Sequence, residues 1–206
     1  MFSSVRQLIT AGLIVAGMSS PQAMAQSITG GEPEVPSDLV VGTDFVLFAK
    51  GAAVGTQNYM CLPAAGGGVA WKNFAPQATL YITVLGLHPQ FATHFLSANP
   101  DESELARPTW QHSIDSSKVW GRVLKISTDA NFVEPGAIPW LLLERAGYET
   151  GPDGGSFLTQ AARIQRINTS GGVAPVTGCS QPANIGMLAL VPYTADYFFY
   201  KARRPR

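Results

Sequence analysis

The stretch ATLYITVLG, residues 78–86, carries the clearest structural pattern in the sequence. Leu80, Ile82 and Val84 share one face, and the residues between them lie on the other. Alternation with a period of two over this many residues predicts a β-strand with two different surroundings on its two faces.

Similar short segments follow one another along the chain. They are DFVLFA (44–49), QNYMCL (57–62), VAWKNF (69–74), VWGRVLKI (119–126), IPWLLLE (138–144), RIQRIN (163–168) and LALVPYTADYFFY (188–200). The first two flank a predicted turn, KGAAVGT, and Pro192 divides the last into one or two strands. The unbroken apolar run at 138–144 is typical of a strand covered on both faces.

Two segments depart from this strand pattern. Residues 87–118 contain three prolines and the acidic DESE, and they read as one long irregular loop. Ser156 is placed to cap a turn or a short helix over residues 157–163. With 21 glycines, 15 prolines and only 14% charged residues, the sequence predicts an all-β, single-domain β-sandwich or squat barrel with at most one short helix.

The N-terminus predicts export. Arg6 precedes the apolar run from Leu8 to Met18, and the small residues Ala23-Met24-Ala25 follow it. This is the pattern of a cleaved signal peptide, residues 1–25, and it places the mature protein in the periplasm or outside the cell. We expect an extended lead-in at 26–43 and a domain at 44–200. No later apolar segment is long enough to span a bilayer, so we expect no integral membrane protein.

The charge distribution argues against nucleic acid as a partner. Four basic residues crowd the final KARRPR (201–206), which leaves 9 basic against 14 acidic residues at positions 26–200. A mildly acidic body does not attract a polyanion. The tail itself is either a solvated terminus or an electrostatic attachment to an anionic surface.

The chain has two cysteines, Cys61 and Cys179. A catalytic thiol normally needs a helix N-terminus or a neighbouring histidine, and a structural zinc site needs paired ligands at short spacing. Neither pattern occurs in the sequence. Two cysteines in an exported chain therefore predict a disulfide.

The three histidines allow a different hypothesis. His88, His94 and His112 all fall in the segment 87–118 and could converge on a transition metal, with Asp115 or the DESE acids as further ligands. Their spacing matches no known ligand motif. Isolated histidines in loops are more often surface or hydrogen-bonded residues, so a metal cofactor is the less favoured interpretation.

Other catalytic patterns are absent from the sequence. It contains no G-x-S-x-G elbow, no H-E-x-x-H helix and no phosphate-binding loop. The aromatic residues allow either core packing, which is preferred, or a groove for a carbohydrate or other small ligand. They are Trp71, Trp110, Trp120, Trp140, Tyr59, Tyr193, Tyr197 and Tyr200. Trp110, in the stretch ARPTWQH, is the best candidate to face a ligand.

A set of short motifs, in this order, resembles one family over nearly all of the mature chain. The motifs are Gln57-x-Tyr59-x-Cys61, Trp71, His94-Phe95, Pro108-x-Trp110, Pro139-Trp140-Leu141-Leu142, Ile164-Gln165-Arg166-Ile167-Asn168-Thr169, Gly171-Gly172, Pro175, Cys179, and Pro192-Tyr193-Thr194-Ala195-Asp196-Tyr197-Phe198-Phe199-Tyr200. The family consists of exported bacterial and fungal proteins and is called domain of unknown function 3455. The resemblance draws attention to His94 and the cysteines but implies no activity. Some members carry dehydrogenase-like names, which this sequence does not support because it lacks a G-x-G-x-x-G fingerprint.

Two functional hypotheses follow, and a purely structural surface protein is a third. The first is a non-catalytic ligand-binding or envelope-associated protein with a groove near Gln57, Tyr59, His94 and Trp110. The second is a metal-dependent or hydrolytic enzyme built on the three histidines. Gln57 and Tyr59 share a strand face with Cys61. If that face is buried, Gln57 needs hydrogen-bond partners.

Overall fold

A computed structural model describes residues 32–203 as eight antiparallel strands that form a closed barrel. Each strand pairs with the next one in sequence, and the last pairs with the first. The strands are β1 (Phe45–Pro63), β2 (Val69–Tyr81), β3 (Gln90–Asn99), β4 (Leu105–His112), β5 (Lys118–Ser127), β6 (Trp140–Glu149), β7 (Arg163–Gly171) and β8 (Leu188–Ala202). The all-β prediction is confirmed, and of the two proposed architectures the chain adopts the barrel.

Helical structure in the described residues is limited to four 3₁₀ turns. They are Ser37–Leu39, Pro100–Glu102, Leu158–Gln160 and Pro182–Asn184. The turn over 158–160 lies in the segment expected to form a turn or short helix, but Ser156 does not cap it. No helix within residues 32–203 is long and apolar enough to cross a bilayer.

The predicted turn KGAAVGT (50–56) does not exist, because β1 runs without interruption from Phe45 to Pro63. Its small residues serve close packing. A Cβ on Gly55 would lie 2.1 Å from the carbonyl oxygen of Gln77 on β2, and one on Gly51 would lie 3.1 Å from the Leu80 side chain. Glycine inside a strand often occurs where another backbone approaches closely, and these glycines allow β1 and β2 to do so.

Two other predicted breaks are also absent. VAWKNF and the first part of ATLYITVLG form the single strand β2, which ends at Tyr81. The segment 188–200 forms one strand, β8, which passes through Pro192. Pro192 lies in the part of β8 that pairs only with β1, because pairing with β7 begins at Tyr193. Proline is tolerated where a strand has a neighbour on one side only.

The predicted long loop at 87–118 is wrong, since β3 and β4 occupy most of it. Inward positions on these strands carry the rings of His94 and His112 instead of aliphatic side chains, which hides the alternation. Pro100 begins a 3₁₀ turn at the end of β3. Pro108 lies where β4 pairs with β3 alone.

Two hydrophobic clusters hold the barrel together. One fills its interior and contains Leu80, Phe91, Trp110 and Phe199. The other lies outside the wall, where residues of the lead-in cover β6, β7 and β8. Leu39 is fully buried there, and its carbonyl accepts a hydrogen bond from Gln165 Nε2. The described part of the lead-in is thus packed against the barrel, whereas the predicted signal peptide lies outside the described residues.

At the other terminus, β8 extends into the predicted tail as far as Ala202. Arg203 donates a hydrogen bond from Nε to the carbonyl of Thr43. The first residues of KARRPR therefore belong to the barrel, and its last three lie outside the described residues.

Candidate functional site

The wall of the barrel opens between β2 and β3. Their ladder is short and ends at the pair Ala78↔His94. Beyond this pair, β2 continues with β1 as its only neighbour, and β3 continues with β4 as its only neighbour. His94 therefore lies at the point where the two strands separate.

A cavity of about 270 Å³ lies at this opening. It is lined by Gln57, Asn73, Phe74, Ala75, Pro76, His94, Leu96, Pro108, Trp110, Leu141, Leu143, Arg166 and Tyr197. Nine of the thirteen lining residues are apolar or aromatic and four are polar, a mixture that is common in small-molecule sites. A more open surface groove beside it, lined by Thr56, Thr79 and Thr93, also reaches His94.

His94 is 3% exposed, and its ring lies parallel to Trp110 with centroids 4.4 Å apart. Its Nδ1 lies 2.9 Å from the carbonyl oxygen of Thr109, so Nδ1 carries the proton and Nε2 is left as an acceptor. Burial lowers the pKa of His94 to about 3, against the weaker upward effect of the Thr109 hydrogen bond. The ring is neutral under ordinary conditions.

Trp110 is 1% exposed and packs between His94 and the rings of Tyr197 and Phe199. Its Nε1 is buried and has no hydrogen-bond partner among the described residues. An indole N–H is only a donor, and a buried donor without an acceptor costs free energy. The indole is thus fixed in orientation by its neighbours while its polar atom stays unpaired.

Gln57 is buried, and the sequence alone did not identify its hydrogen-bond partners. Its Oε1 accepts a hydrogen bond of 3.1 Å from Asn73 Nδ2. Its Nε2 is buried without a partner in bonding geometry, although Gln57 is close enough to Tyr193 to lower the pKa of that hydroxyl against the larger effect of burial. One end of the amide is therefore satisfied and the donor end is not.

Arg166 brings a positive charge to the cavity. Its Nη2 donates to the carbonyl oxygen of Pro139 at 2.8 Å, and its Nε is buried without a partner. No described carboxylate lies within ion-pair distance of it, and the cavity lining contains no acidic residue. Burial raises the pKa of Tyr197, and the charge of Arg166 opposes that rise.

The model of the family described as protein of unknown function (DUF3455) matches residues 43–201. The chain belongs to this family. No curated protein and no solved structure matches it. The match spans all eight strands almost completely, and so it includes every residue that lines the cavity.

Of the four residues predicted to form a groove in this family member, three line the cavity: Gln57, His94 and Trp110. Tyr59 faces the interior but does not line it, because its hydroxyl donates to the carbonyl of Gly172 at 2.6 Å. Sequence reasoning missed Arg166. The sequence did contain a signal for it. Arg166 lies two residues after Ile164, so on a strand it shares the inward face with that apolar residue.

The histidines lie in three different surroundings. His88 is exposed and contacts Thr83. His112 Nδ1 lies 2.8 Å from Asp115 Oδ1, and its ring stacks on Phe157. No group of three or more histidine, cysteine, aspartate or glutamate side chains within residues 32–203 is arranged to hold a metal. The convergence proposed for His88, His94 and His112 therefore does not occur.

Asp115 joins two loops and is not placed as a metal ligand. It accepts hydrogen bonds from the backbone of Phe157 and from both the backbone and the hydroxyl of Ser117. Burial acts against its ionisation, but these hydrogen bonds and His112 hold the pKa of Asp115 well below its usual range. Glu102 of the DESE stretch instead pairs with Arg107 at 2.7 Å.

The two cysteines form the predicted disulfide, with Cα atoms 5.5 Å apart. It connects β1 to the segment between β7 and β8. Beside it, Trp71 Nε1 donates to the carbonyl of Thr177 at 3.0 Å. No residue of that segment lines the cavity, so the bridge supports the barrel without taking part in the candidate site.

Most of the remaining aromatic residues pack as preferred. Tyr193 belongs to the interior cluster, and Trp140 and Tyr200 belong to the outer one. Trp120 is buried and donates from Nε1 to Ser97 Oγ. Tyr197 is the exception, because it serves both the core and the cavity lining.

Proposed function

We propose that this protein is a non-catalytic binding protein that takes a small molecule into the cavity between β2 and β3. One observation carries the proposal. Three buried N–H donors have no partner among the described residues, and all three belong to residues that line this cavity: Gln57 Nε2, Trp110 Nε1 and Arg166 Nε. The fourth unpaired atom, Trp140 Nε1, belongs to the outer cluster.

The cost of these unpaired donors supports a ligand. A buried donor without an acceptor costs about 1–3 kcal/mol, and native proteins leave few of them. Three unpaired donors in the lining of one cavity together make an unfavourable contribution to the free energy of the empty protein. A ligand that supplies acceptors would recover it on binding, which supports the proposal that the cavity is a binding site.

The polar groups are also held in place before any ligand arrives. His94 is fixed by its hydrogen bond to Thr109 and by its stack on Trp110, and Gln57 is held by Asn73. Arg166 is anchored to the carbonyl of Pro139. Side chains that are already ordered lose little entropy when a ligand binds.

The lining favours binding over catalysis. It contains no serine, cysteine, lysine, aspartate or glutamate that could act as a nucleophile or be paired with a base. His94 has a pKa of about 3, far from the value that suits a general base near neutrality. The enzyme hypothesis built on three histidines also loses its geometric basis.

Action outside the cytoplasm is the second part of the proposal. The Cys61–Cys179 disulfide is compatible with an oxidising compartment, where such bridges form and persist. The predicted signal peptide at 1–25 supports the same location. Secretion of the protein with its N-terminus beginning near Gln26, measured by mass spectrometry of cell fractions, is the expected result.

The binding proposal is tested with a cavity-filling variant. A small-molecule library is screened by thermal shift, and hits are measured by isothermal titration. We expect Leu96→Trp, which fills the cavity, to weaken binding of the hits by more than about tenfold. The control Leu124→Trp, on the exposed part of β5, should leave binding unchanged.

Two results would contradict the proposal. One is a library without any hit, and the other is a set of hits that bind both variants equally. Recovery of each ligand chemically unchanged after long incubation separates binding from turnover. A converted ligand would favour the enzyme alternative.

A further inference from the structure

We infer that the ligand of this cavity is a small organic anion, a carboxylate on an apolar body, which binds to Arg166. The inference rests on the proposed function and specifies its ligand class. It depends on three features of the lining: one cation without a carboxylate partner, fully buried unpaired atoms that are all donors, and apolar walls around them.

The charge of Arg166 is exceptional among the arginines that pack into the fold. Arg107 and Arg163 are also half-buried, and each has a glutamate within 4 Å, Glu102 and Glu144 respectively. Arg145 and Arg203 lack such a partner but are exposed to solvent. A half-buried guanidinium without a counter-charge loses part of its hydration without compensation, and an anionic ligand would supply that compensation.

The unpaired atoms also require an acceptor. Gln57 Nε2, Trp110 Nε1 and Arg166 Nε can only donate. A carboxylate has two oxygens with about four lone-pair positions and no donor, so it can accept from more than one donor at once. Guanidinium–carboxylate pairs are often bidentate, and Arg166 keeps a second N–H on Nη2 beside the one that Pro139 uses.

The remaining lining selects the body of the ligand. Leu96, Leu141 and Leu143 form apolar walls, and Phe74 and Pro108 flank them. A neutral His94 adds no second charge. One cation with apolar walls fits a monoanion with a hydrophobic body better than a phosphate, which commonly relies on backbone N–H groups or several cations.

The test compares acids with their amides, which have nearly the same shape but no charge. Benzoate with benzamide, hexanoate with hexanamide, and indole-3-acetate with its amide are titrated at pH 7 by calorimetry and tryptophan fluorescence. We expect at least one acid to bind more than about tenfold tighter than its amide. Added salt should weaken the acid and not the amide.

Arg166→Met should abolish that preference, and the matched control Arg145→Met should retain it. Arg145 is exposed, donates a hydrogen bond to the carbonyl of Thr159 and lies over the ring of Tyr148, away from the cavity lining. Near-UV circular dichroism checks that both variants are folded. The salt dependence of the unmodified protein needs no variant, so it decides the question even if Arg166→Met does not fold.

The possible failures are distinguishable. If amides or other neutral compounds bind in the cavity as tightly as the acids, the anion inference is overturned and the binding function stands. Retained preference in a folded Arg166→Met variant also overturns it. If no compound binds in a manner sensitive to Leu96→Trp, the proposed function fails, and the inference fails with it.

Discussion

Gln57 and Gln165 are both buried glutamines, but their surroundings differ. Both ends of Gln165 are bonded, since Nε2 donates to the carbonyl of Leu39 and Oε1 accepts from the hydroxyl of Tyr200. Gln57 has a partner only at Oε1. The first arrangement stabilises the fold, whereas the second leaves one buried donor without a partner.

Leucine at each position should separate these roles. We expect Gln165→Leu to lower the free energy of unfolding by about 1–3 kcal/mol, because it leaves the Tyr200 hydroxyl and the Leu39 carbonyl without their partners. Gln57→Leu should leave stability unchanged or raise it, and should weaken ligand binding. Urea unfolding measures both variants. A loss in Gln57→Leu as large as that in Gln165→Leu would show that Gln57 is structural.

His94 should make stability depend on pH. Its pKa is about 3 in the folded protein and 6.5 when unperturbed, so the unfolded chain binds the proton more readily between these values. The free energy of unfolding should therefore be unaffected by His94 above pH 6.5 and should decrease as the pH falls towards 3. The total decrease due to His94 approaches about 5 kcal/mol at pH values below 3. His94→Gln should flatten this decrease, and His88→Gln should not. An equal slope in all three proteins would contradict the assignment.

For the strands, the sequence predicted where most of them lie better than it predicted where each begins and ends. The segments at 119–126 and 163–168 fall within β5 and β7, and the segment at 138–144 overlaps β6 from Trp140 onwards. Glycine and alanine at 51–55 resembled a turn because the pattern does not show which strand lies opposite. β3 and β4 were missed because inward positions on them carry the rings of His94 and His112, which breaks the expected alternation.

The same reasoning explains what was seen of the site. Gln57 was recognisable because it shares a strand face with Cys61, and Trp110 because it lies in the stretch ARPTWQH, which was expected to be irregular. His94 and Trp110 lie side by side because β3 and β4 pair at these two residues. The sequence did not predict this contact, because a loop was expected where these strands lie. Arg166 comes from β7, and only the closed topology brings it to the same cavity.

Gly55 should be the position on β1 least able to accept a side chain. Gly55→Ala places a Cβ against the backbone of Gln77 and Ala78, so the β1–β2 ladder must shift. We expect a loss of more than about 2 kcal/mol in the free energy of unfolding. Gly42→Ala is the control, because a Cβ there meets nothing within 4 Å. Equal stabilities by urea unfolding would contradict the close approach.

In the whole molecule, the pairing of the strands closes the barrel, and the disulfide adds a covalent connection near that closure. The strands pair in sequence order, so most of the ladder forms between neighbours, and the β8–β1 pairing closes the ring. Near that closure, Cys61 also exchanges backbone hydrogen bonds with Gly186 and Met187. The bridge therefore reinforces a contact between distant parts of the chain, and neither cysteine lines the cavity.

Removal of the bridge should lower stability but spare binding. The two cysteines are separated by 118 residues, and closing a loop of this size stabilises the fold by about 4–5 kcal/mol in the chain-entropy model. We expect the double variant Cys61→Ala/Cys179→Ala to lose about this amount in urea unfolding. It should still bind cavity ligands under native conditions, because no residue from 172 to 187 lines the cavity. Two titratable thiols in the denatured, unreduced protein would show that the bridge does not form.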